Sequence, residues 1–433
     1  MKRILAVVLI AVMLLAGCQV PDFTSSQVSE NVSSEIVTSQ TETSSSSTSS
    51  PDITVVTPPT NIGTENVISG EELPTSALPL TTNTWCYDQI TEEQQRIYKI
   101  LFSAANRMTY GWIDLGYCDV KNYNADIAVA YRAFTYDYPE LFWMPYEYVV
   151  KREEKRVSVA FSINEAGMNQ GYLVNFSTKK KMQEELDSAT ENFLKEVKAN
   201  AKTPMEQLTF INDKLCNDIT YYGTEHENDL VYTVYGALVA GYAVCEGYAR
   251  SMRYLCKQLG IDCLIVTGIS KEEQHMWNLV RFEDEWYHID ATWNDTDGIS
   301  IPMHTFFNLT DEEISKDHII DLDYSEVIKN GSDLGEIGYN FGLPEANGKK
   351  YNYYEYYGVR FTDVLAVSQK ISEIYKTQNY LEMCLSESAQ ARYESDISSF
   401  FGALIANVRM ITGEKEFKIK LYASMENSLY LEW

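Results

Sequence analysis

The sequence predicts an α+β protein, and three observations carry that prediction. Apolar residues recur at helical spacing from Met205 to Ile219 and again from Ala249 to Leu259. Two segments alternate as strands do, residues 275–282 (HMWNLVRF) and 286–293 (WYHIDATW), with the polar turn Glu283-Asp284-Glu285 between them. After about residue 330 the texture changes, and a second, smaller mixture of helix and strand follows. The expected order is a helical region, then helices followed by a β-hairpin, then a small α+β domain.

The N-terminus is a targeting segment. Lys2 and Arg3 precede an unbroken apolar run over residues 4–15. The run falls short of the roughly 20 residues of a membrane span and fits the apolar core of a signal peptide. Leu15-Ala16-Gly17-Cys18 follows at once and resembles the lipobox of bacterial lipoproteins. The resemblance implies cleavage before Cys18, a diacylglyceryl group on its sulfur, and a lipid-anchored position at the extracytoplasmic face of the bacterial cell membrane. The alternative is an ordinary secretory signal with an incidental Cys. Residues 1–17 are thus read as signal peptide and residues 18–84 as a lipidated Cys with a tether. Residues 41–50 are all Ser or Thr except Glu42, and Pro51, Pro58 and Pro59 follow. Such a stretch has too little apolar surface to offset its ordering entropy. As a coil it reaches roughly 45 Å.

The remaining chain suffices for two or three domains. Thr91 and Gln94 form a capping-box pattern before a helical run ending near Met108, and a second run over 124–138 stops at Pro139. Alternation at Val157, Val159 and Phe161 marks a hairpin within 146–175, and residues 177–201 read as one long charged helix. These make an N-terminal helical and hairpin region over 85–200. Thr203, Pro204 and Glu206 supply an N-cap, a first-turn proline and a capping-box acid for the next helix, which opens a domain over 201–330. The loop Asn330-Gly331-Ser332-Asp333 leads into an accessory domain over 331–433. There a helix is expected near 362–378, another near 387–409, and two strands at the end. The formal net charge of −27 argues against nucleic acid or anionic lipid as the main partner. Eight cysteines stand at 18, 86, 118, 216, 245, 256, 263 and 384. Without Cys18 their number is odd, so at least one thiol stays free; Cys86 and Cys118 could bridge, but spacing does not decide it. No C-x-x-C pair signals zinc.

Residues 236–293 hold the chemistry. In GALVAGYAVCEGYARSMRYLCKQLGI, Cys245 stands where a helix begins, and Gly260 suits that helix's end. A helix N-terminus favours the thiolate, the reactive form of cysteine. Gly241 and Gly247 leave room for a substrate near the backbone. On an antiparallel hairpin with an even-numbered loop, residues whose numbers sum to an odd value share a face, and His275 and Asp290 do so. A four-residue loop places them directly opposite, a two-residue loop diagonally. A base and an orienting acid are what a nucleophilic Cys requires. Each residue also has a plainer reading: Cys245 as helix packing, His275 as a surface strand residue, Asp290 as a turn cap.

Taken together, GYAVCEGYARSMRYL around Cys245, H-x-W-N-x-V over 275–280 and WYHIDATW resemble the transglutaminase-like superfamily, which shares the papain-like cysteine protease core. The helix from 204 followed by Tyr221-Tyr222 resembles that family's pre-catalytic helix. FFNLTDEEISKDH over 306–318 resembles the segment after the core in bacterial members related to cytokinesis-type transglutaminase-like proteins. Asn294 stands where many relatives have Asp; Asp295 is kept. The resemblance implies a papain-like α+β core, a Cys-bearing helix packed on an antiparallel sheet, and a Cys245–His275–Asp290 triad acting by acyl transfer on peptide or protein amides, with hydrolysis and cross-linking both open. Cell-wall peptide is among the substrates left open. No cofactor and no metal is required by that chemistry. Tyr242 is a candidate to help the Cys245 N–H hold an oxyanion. His288 is a rival base on the same strand face as Asp290, and Glu246 reads as solvent-facing. Trp277, Trp286 and Trp293 read as core or cleft walls, and His226, His304 and His318 have no evident partner. A catalytically silent binding or scaffold module is the alternative function.

Overall fold

The computed structural model describes residues 68–69 and 84–433, apart from 120, 146–147, 162–171, 223–228, 296–300, 321–323, 331–332, 340 and 426–427. The signal segment, Cys18, most of the tether, His226 and the centre of the 330–333 loop lie outside the described residues. Capping chemistry sets the helix starts. α1 (Trp85–Gln89) leads into α2 (Glu92–Asn106), where Thr91 accepts from the Gln94 N–H and the Gln94 side chain accepts from the Thr91 N–H. α3 (Tyr123–Asp137) stops ahead of Pro139. β1 (Ile68–Ser69), β2 (Ile113–Tyr117), β3 (Val149–Glu153) and β4 (Arg156–Ala160) form a sheet in the order β1-β2-β4-β3. β3 and β4 are the expected hairpin, with Val157 and Val159 buried. β2 has no clear sequence signal, because Asp114 sits within it; Arg156 of β4 satisfies that buried carboxylate.

α4 (Phe176–Asn200) and α5 (Pro204–Asp218) follow, the latter opened by the Thr203–Glu206 capping box. Two short parallel strands, β5 (Thr220–Tyr221) and β6 (Tyr242–Ala243), precede α6 (Cys245–Leu259), which Gly260 ends at φ 74°. A five-stranded antiparallel sheet contains β7 (Cys263–Ser270), β8 (Glu273–Phe282), β9 (Glu285–Ile289), β10 (Phe307–Leu309) and β11 (His318–Ile320), in the order β10-β9-β8-β7-β11. One-turn helices α7 (Ala291–Asn294) and α8 (Asp311–Ile314) join its last strands. β7 begins as an apolar run rather than an alternation, because both of its faces are covered there.

One core runs from Cys86 to Phe341, so the regions 85–200 and 201–330 share it and Phe341 beyond them joins it. Arg253 of α6 and Asp137 of α3 form a buried link within it. Arg253 donates to Tyr136 O, Cys263 O and Asp137 Oδ1, and Asp137 also accepts from Cys86 N, Tyr87 N and Tyr98 Oη. Burial raises the Asp137 carboxyl to about 6, against the lowering effect of Arg253. The α6 backbone is thereby fixed to α3 on one side and β7 on the other.

β12 (Tyr324–Asn330) and β13 (Asp333–Tyr339) form a hairpin, with Asn330 paired to Asp333. Beyond it come α9 (Tyr353–Tyr356), β14 (Arg360–Phe361), α10 (Val364–Ile374), β15 (Tyr380–Leu385), α11 (Glu387–Ser395), α12 (Ile397–Thr412), β16 (Lys420–Met425) and β17 (Ser428–Glu432). The strands order as β14-β15-β17-β16 over a second core that includes Met383, Leu404 and Leu431. The single helix expected near 387–409 is two helices. Asp396 leaves the helical conformation and caps α12 by accepting from Ser399 N, which costs the chain its continuity there. Among the described residues, no helix is long and apolar enough to cross a membrane.

Candidate active site

Cys245 is the first residue of α6, as its sequence setting predicts. Val244 at the N-cap provides no side-chain cap, so no capping side chain occupies the first N–H groups of the helix. A Cβ at Gly247 would lie 2.5 Å from Val231 O and 2.7 Å from the Ala243 Cβ. The space at Gly247 is therefore used by the chain's own backbone, not kept for a substrate. Asn278 of β8 donates to Ala249 O and Leu264 O and pins α6 against the sheet.

The β8–β9 turn has two residues, Glu283 and Asp284, with Phe282 paired to Glu285 and Glu283 at φ 55°. His275 and Asp290 are consequently diagonal neighbours. His275 Nε2 lies 2.6 Å from Asp290 Oδ2. Asp290 is also the N-cap of α7, its Oδ1 accepting from Thr292 N and Trp293 N. Turn cap and partner of a histidine were alternatives in the sequence; the carboxylate does both, one oxygen for each. Cys245 lies near enough to the same imidazole to favour its protonated form. Among the described cysteines all are free thiols, Cys86 and Cys118 included, and only Cys245 is not buried.

Electrostatics polarise this row. Burial pulls the His275 imidazole down, but the Asp290 charge and hydrogen bond, with Cys245 behind them, raise it to about 10. Burial would raise the Asp290 carboxyl; the His275 charge and the hydrogen bonds from His275 and His318 hold it well below the usual carboxylate range. Tyr221 is pushed up to about 12, by burial first and then by Cys245, Glu273 and Asp290, which places it at the same site. Trp277 stacks beside His275 at 5.9 Å and Trp293 meets it edge-on at 6.3 Å. Lys271 Nζ lies 3.6 Å over the Trp293 ring.

Other candidates find different places. Tyr242 pairs its backbone with Thr220 and sets its ring 5.4 Å from that of Tyr222, three positions ahead of Cys245. His288 is fully buried, accepts from Trp277 Nε1 at 3.0 Å and bonds Asp311 Oδ1 through Nε2 at 2.8 Å. Both its nitrogens are spent, so it is not free to serve as a rival base. Glu246 pairs with Arg250 and is largely covered rather than solvent-facing. Two histidines without evident partners in the sequence have them in the fold. His318 Nε2 reaches Asp290 Oδ2 at 3.0 Å. His304 joins Asp213 Oδ1 at 2.8 Å and Glu382 Oε2 at 2.6 Å. Neither contact has a sequence signal, because the partners lie 28 and 91 or 78 residues away on other elements. The ligand-type atoms of His275, Asp290 and His318 all lie within 4.8 Å of one another. Hydrogen bonds already join the three and account for the cluster.

Comparison with known proteins points to the same region. The model of the transglutaminase-like superfamily matches residues 191–291, a span that contains Cys245, His275 and Asp290. Kyphoscoliosis peptidase of Homo sapiens is 27% identical over 122 residues, covering 25% of this chain and 18% of that protein. Kyphoscoliosis peptidase of Mus musculus is 34% identical over 61 residues, 11% of this chain and 9% of that protein. The chain thus spans less than a fifth of the length of these relatives. A transglutaminase crystal structure overlays with 14% identity, covering 44% of this chain and 53% of its own, at a TM-score of 0.24.

Proposed function

We propose that this chain, which carries a transglutaminase-like domain, is a surface-anchored thiol acyl-transfer enzyme acting on amide bonds of peptides or proteins. One observation carries the reading: an imidazole held through Nε2 by a buried carboxylate has beside it the one described thiol that is not buried. A His275 that keeps its proton up to about pH 10 carries positive charge beside the Cys245 sulfur. The sulfur adds to the amide carbonyl carbon. His275 gives its proton to the leaving amine, and the C–N bond breaks to leave a thioester. Asp290 keeps the imidazole in one tautomer and orientation throughout. The Cys245 N–H at the uncapped start of α6, with Tyr242 as a candidate second donor, receives the carbonyl oxygen as it becomes an oxyanion.

His275 then takes a proton from the acceptor that resolves the thioester. Water gives a peptidase or amidase; a primary amine gives cross-linking. Water is favoured here, because the relatives matched over this domain are named peptidases. Cys18, lipidated, holds the domain at the extracytoplasmic face, and the Ser/Thr-rich tether lets it range over nearby wall or surface peptides. The test offers a glutamine-containing acceptor with a labelled primary amine, and separately a peptide library without amine. Cys245-dependent hydrolysis is expected; amine incorporation with no hydrolysis overturns the choice of water. No reaction in either arm, with Cys245 inert to iodoacetamide, leaves a binding module in place of an enzyme. For the anchor, Cys18→Ser is expected to leave the membrane fraction, and its recovery there at the wild-type level rules the anchor out.

A further inference from the structure

We infer that His318 is a positioning residue for the Cys245 chemistry, its Nε2–H holding the Asp290 carboxylate in the orientation that serves His275. The inference rests on the thiol-enzyme reading above. His318 belongs to β11, the edge strand beyond β7, and pairs with Ser270. Gly268, two residues from Ser270 and so on the same face, pairs with His275 on the other side of β7. The two imidazoles therefore share a sheet face with one strand between them. They meet across that strand because residue 268 has no side chain. A Cβ at Gly268 would collide with Ile319 O and lie 2.7 Å from Trp277 Cη2. The imidazole ring centroids are 5.4 Å apart, and both Nε2 atoms reach Asp290 Oδ2, at 2.6 and 3.0 Å.

The hydrogen-bond inventory gives His318 its role. It is fully buried, and among the described residues its Nδ1 has no partner. The tautomer with its proton on Nε2 makes the one hydrogen bond on offer, to Asp290. Asp290 then has two backbone donors on Oδ1 and two imidazole donors on Oδ2. With both lone pairs of each oxygen engaged, the carboxylate plane cannot pivot away from His275. His318 is itself held by rings, with Trp277 edge-on at 5.0 Å, Trp293 at 5.4 Å and Phe306 at 5.6 Å. The segment 306–318 thus has a physical task around Asp290. Phe306 O accepts the Asp290 N–H, Asp311 orients the His288 that accepts from Trp277, and His318 closes the ring of donors.

Alkylation of Cys245 by iodoacetamide reads this arrangement without a substrate. The titratable groups around His275 are Asp290, Cys245 and His318, with Tyr221 and Glu273 beyond them. The rate is measured against pH on the full chain for wild type, His318→Gln and His318→Leu. Gln keeps an N–H donor and Leu keeps only bulk. Without a donor at 318 the Asp290 charge is shared less and grips the His275 proton harder. The alkaline limb of the profile, where His275 loses that proton, is expected to move up by about half a pH unit or more in His318→Leu and to return in His318→Gln. Leu and Gln profiles that coincide, displaced or not, overturn the inference, as does a downward displacement in Leu. A wild-type Cys245 no faster than an ordinary thiol is a distinct result, which removes the enzyme reading and this inference with it. Should the Leu variant not fold, the nitrogen–proton correlation spectrum of the wild-type histidines decides. A protonated Nε2 and bare Nδ1 at His318 support the inference; the reverse tautomer overturns it.

Discussion

His275 and His304 are nearly the same residue by electrostatics and differ in the role proposed for each. His304 is buried and the His275 side chain nearly so, each is bonded to carboxylate, and in each the carboxylate charge outweighs burial and raises the imidazole to about 10. They differ in what is left over. His304 spends Nε2 on Asp213 of α5 and Nδ1 on Glu382 of β15, and its ring is stacked 3.7 Å from Tyr353. Glu382 accepts in addition from the His304 N–H and from Tyr354 Oη. Both ring nitrogens of His304 and both oxygens of Glu382 are committed to holding the C-terminal sheet against α5. His275 spends Nε2 on Asp290 and has beside it a thiol that is not buried. A shifted pKa therefore marks a buried charge pair in either case. What separates a clamp from a candidate catalytic base is an uncommitted nitrogen beside a reactive atom.

The largest effect expected is a split between two alanine variants. His275→Ala should lower kcat/KM by roughly 10²–10⁴-fold, the usual range for a lost general acid–base. Its fold should suffer less, since Asp290 keeps His318 and two backbone donors. His304→Ala should do the reverse, costing about 3–5 kcal/mol of stability by leaving Glu382 buried without its cation. Its activity per folded molecule should stay within a fewfold of wild type. Steady-state kinetics and urea unfolding on both variants test this; activity lost in His304→Ala at full stability would break the distinction.

A smaller effect concerns pH. A folded-state value of about 10 lies above the ordinary histidine value of about 6.5, so the stabilisation from His304 is complete below that lower value. It is lost as pH rises through the folded value. Thermal midpoints should fall between about pH 7 and 10, and His304→Leu should lack part of that fall. An identical pH slope in wild type and variant would show that the clamp carries no proton. The smallest effect is at the far end of α5. Thr203→Ala removes the cap from Glu206 N and should cost about 1 kcal/mol with activity unchanged, as circular-dichroism melting and kinetics would show.

Local chemistry was legible where a residue acts on its near neighbours. The capping boxes at Thr91 and Thr203, the Gly260 helix end and the shared face of His275 and Asp290 all depend on contacts a few residues apart or on strand periodicity. The break at Asp396 was missed because apolar spacing runs through it on both sides, and only the backbone turn and the Ser399 N–H reveal the cap. β2 was missed because a buried Asp interrupts its pattern, and the Arg that satisfies it comes from another strand.

By itself the sequence determined the α+β class, the Cys245 helix start and the shared face of His275 and Asp290, since each follows from periodicity and capping over short chain distances. Tertiary structure alone decided which histidines act together. Nothing near Gly268 in the chain says that His318 will cross the strand to Asp290, and nothing near His304 names Asp213 and Glu382. Those contacts exist because sheet order and the packing of the C-terminal sheet bring distant charges together. In a buried site an imidazole takes whatever carboxylate the packing presents.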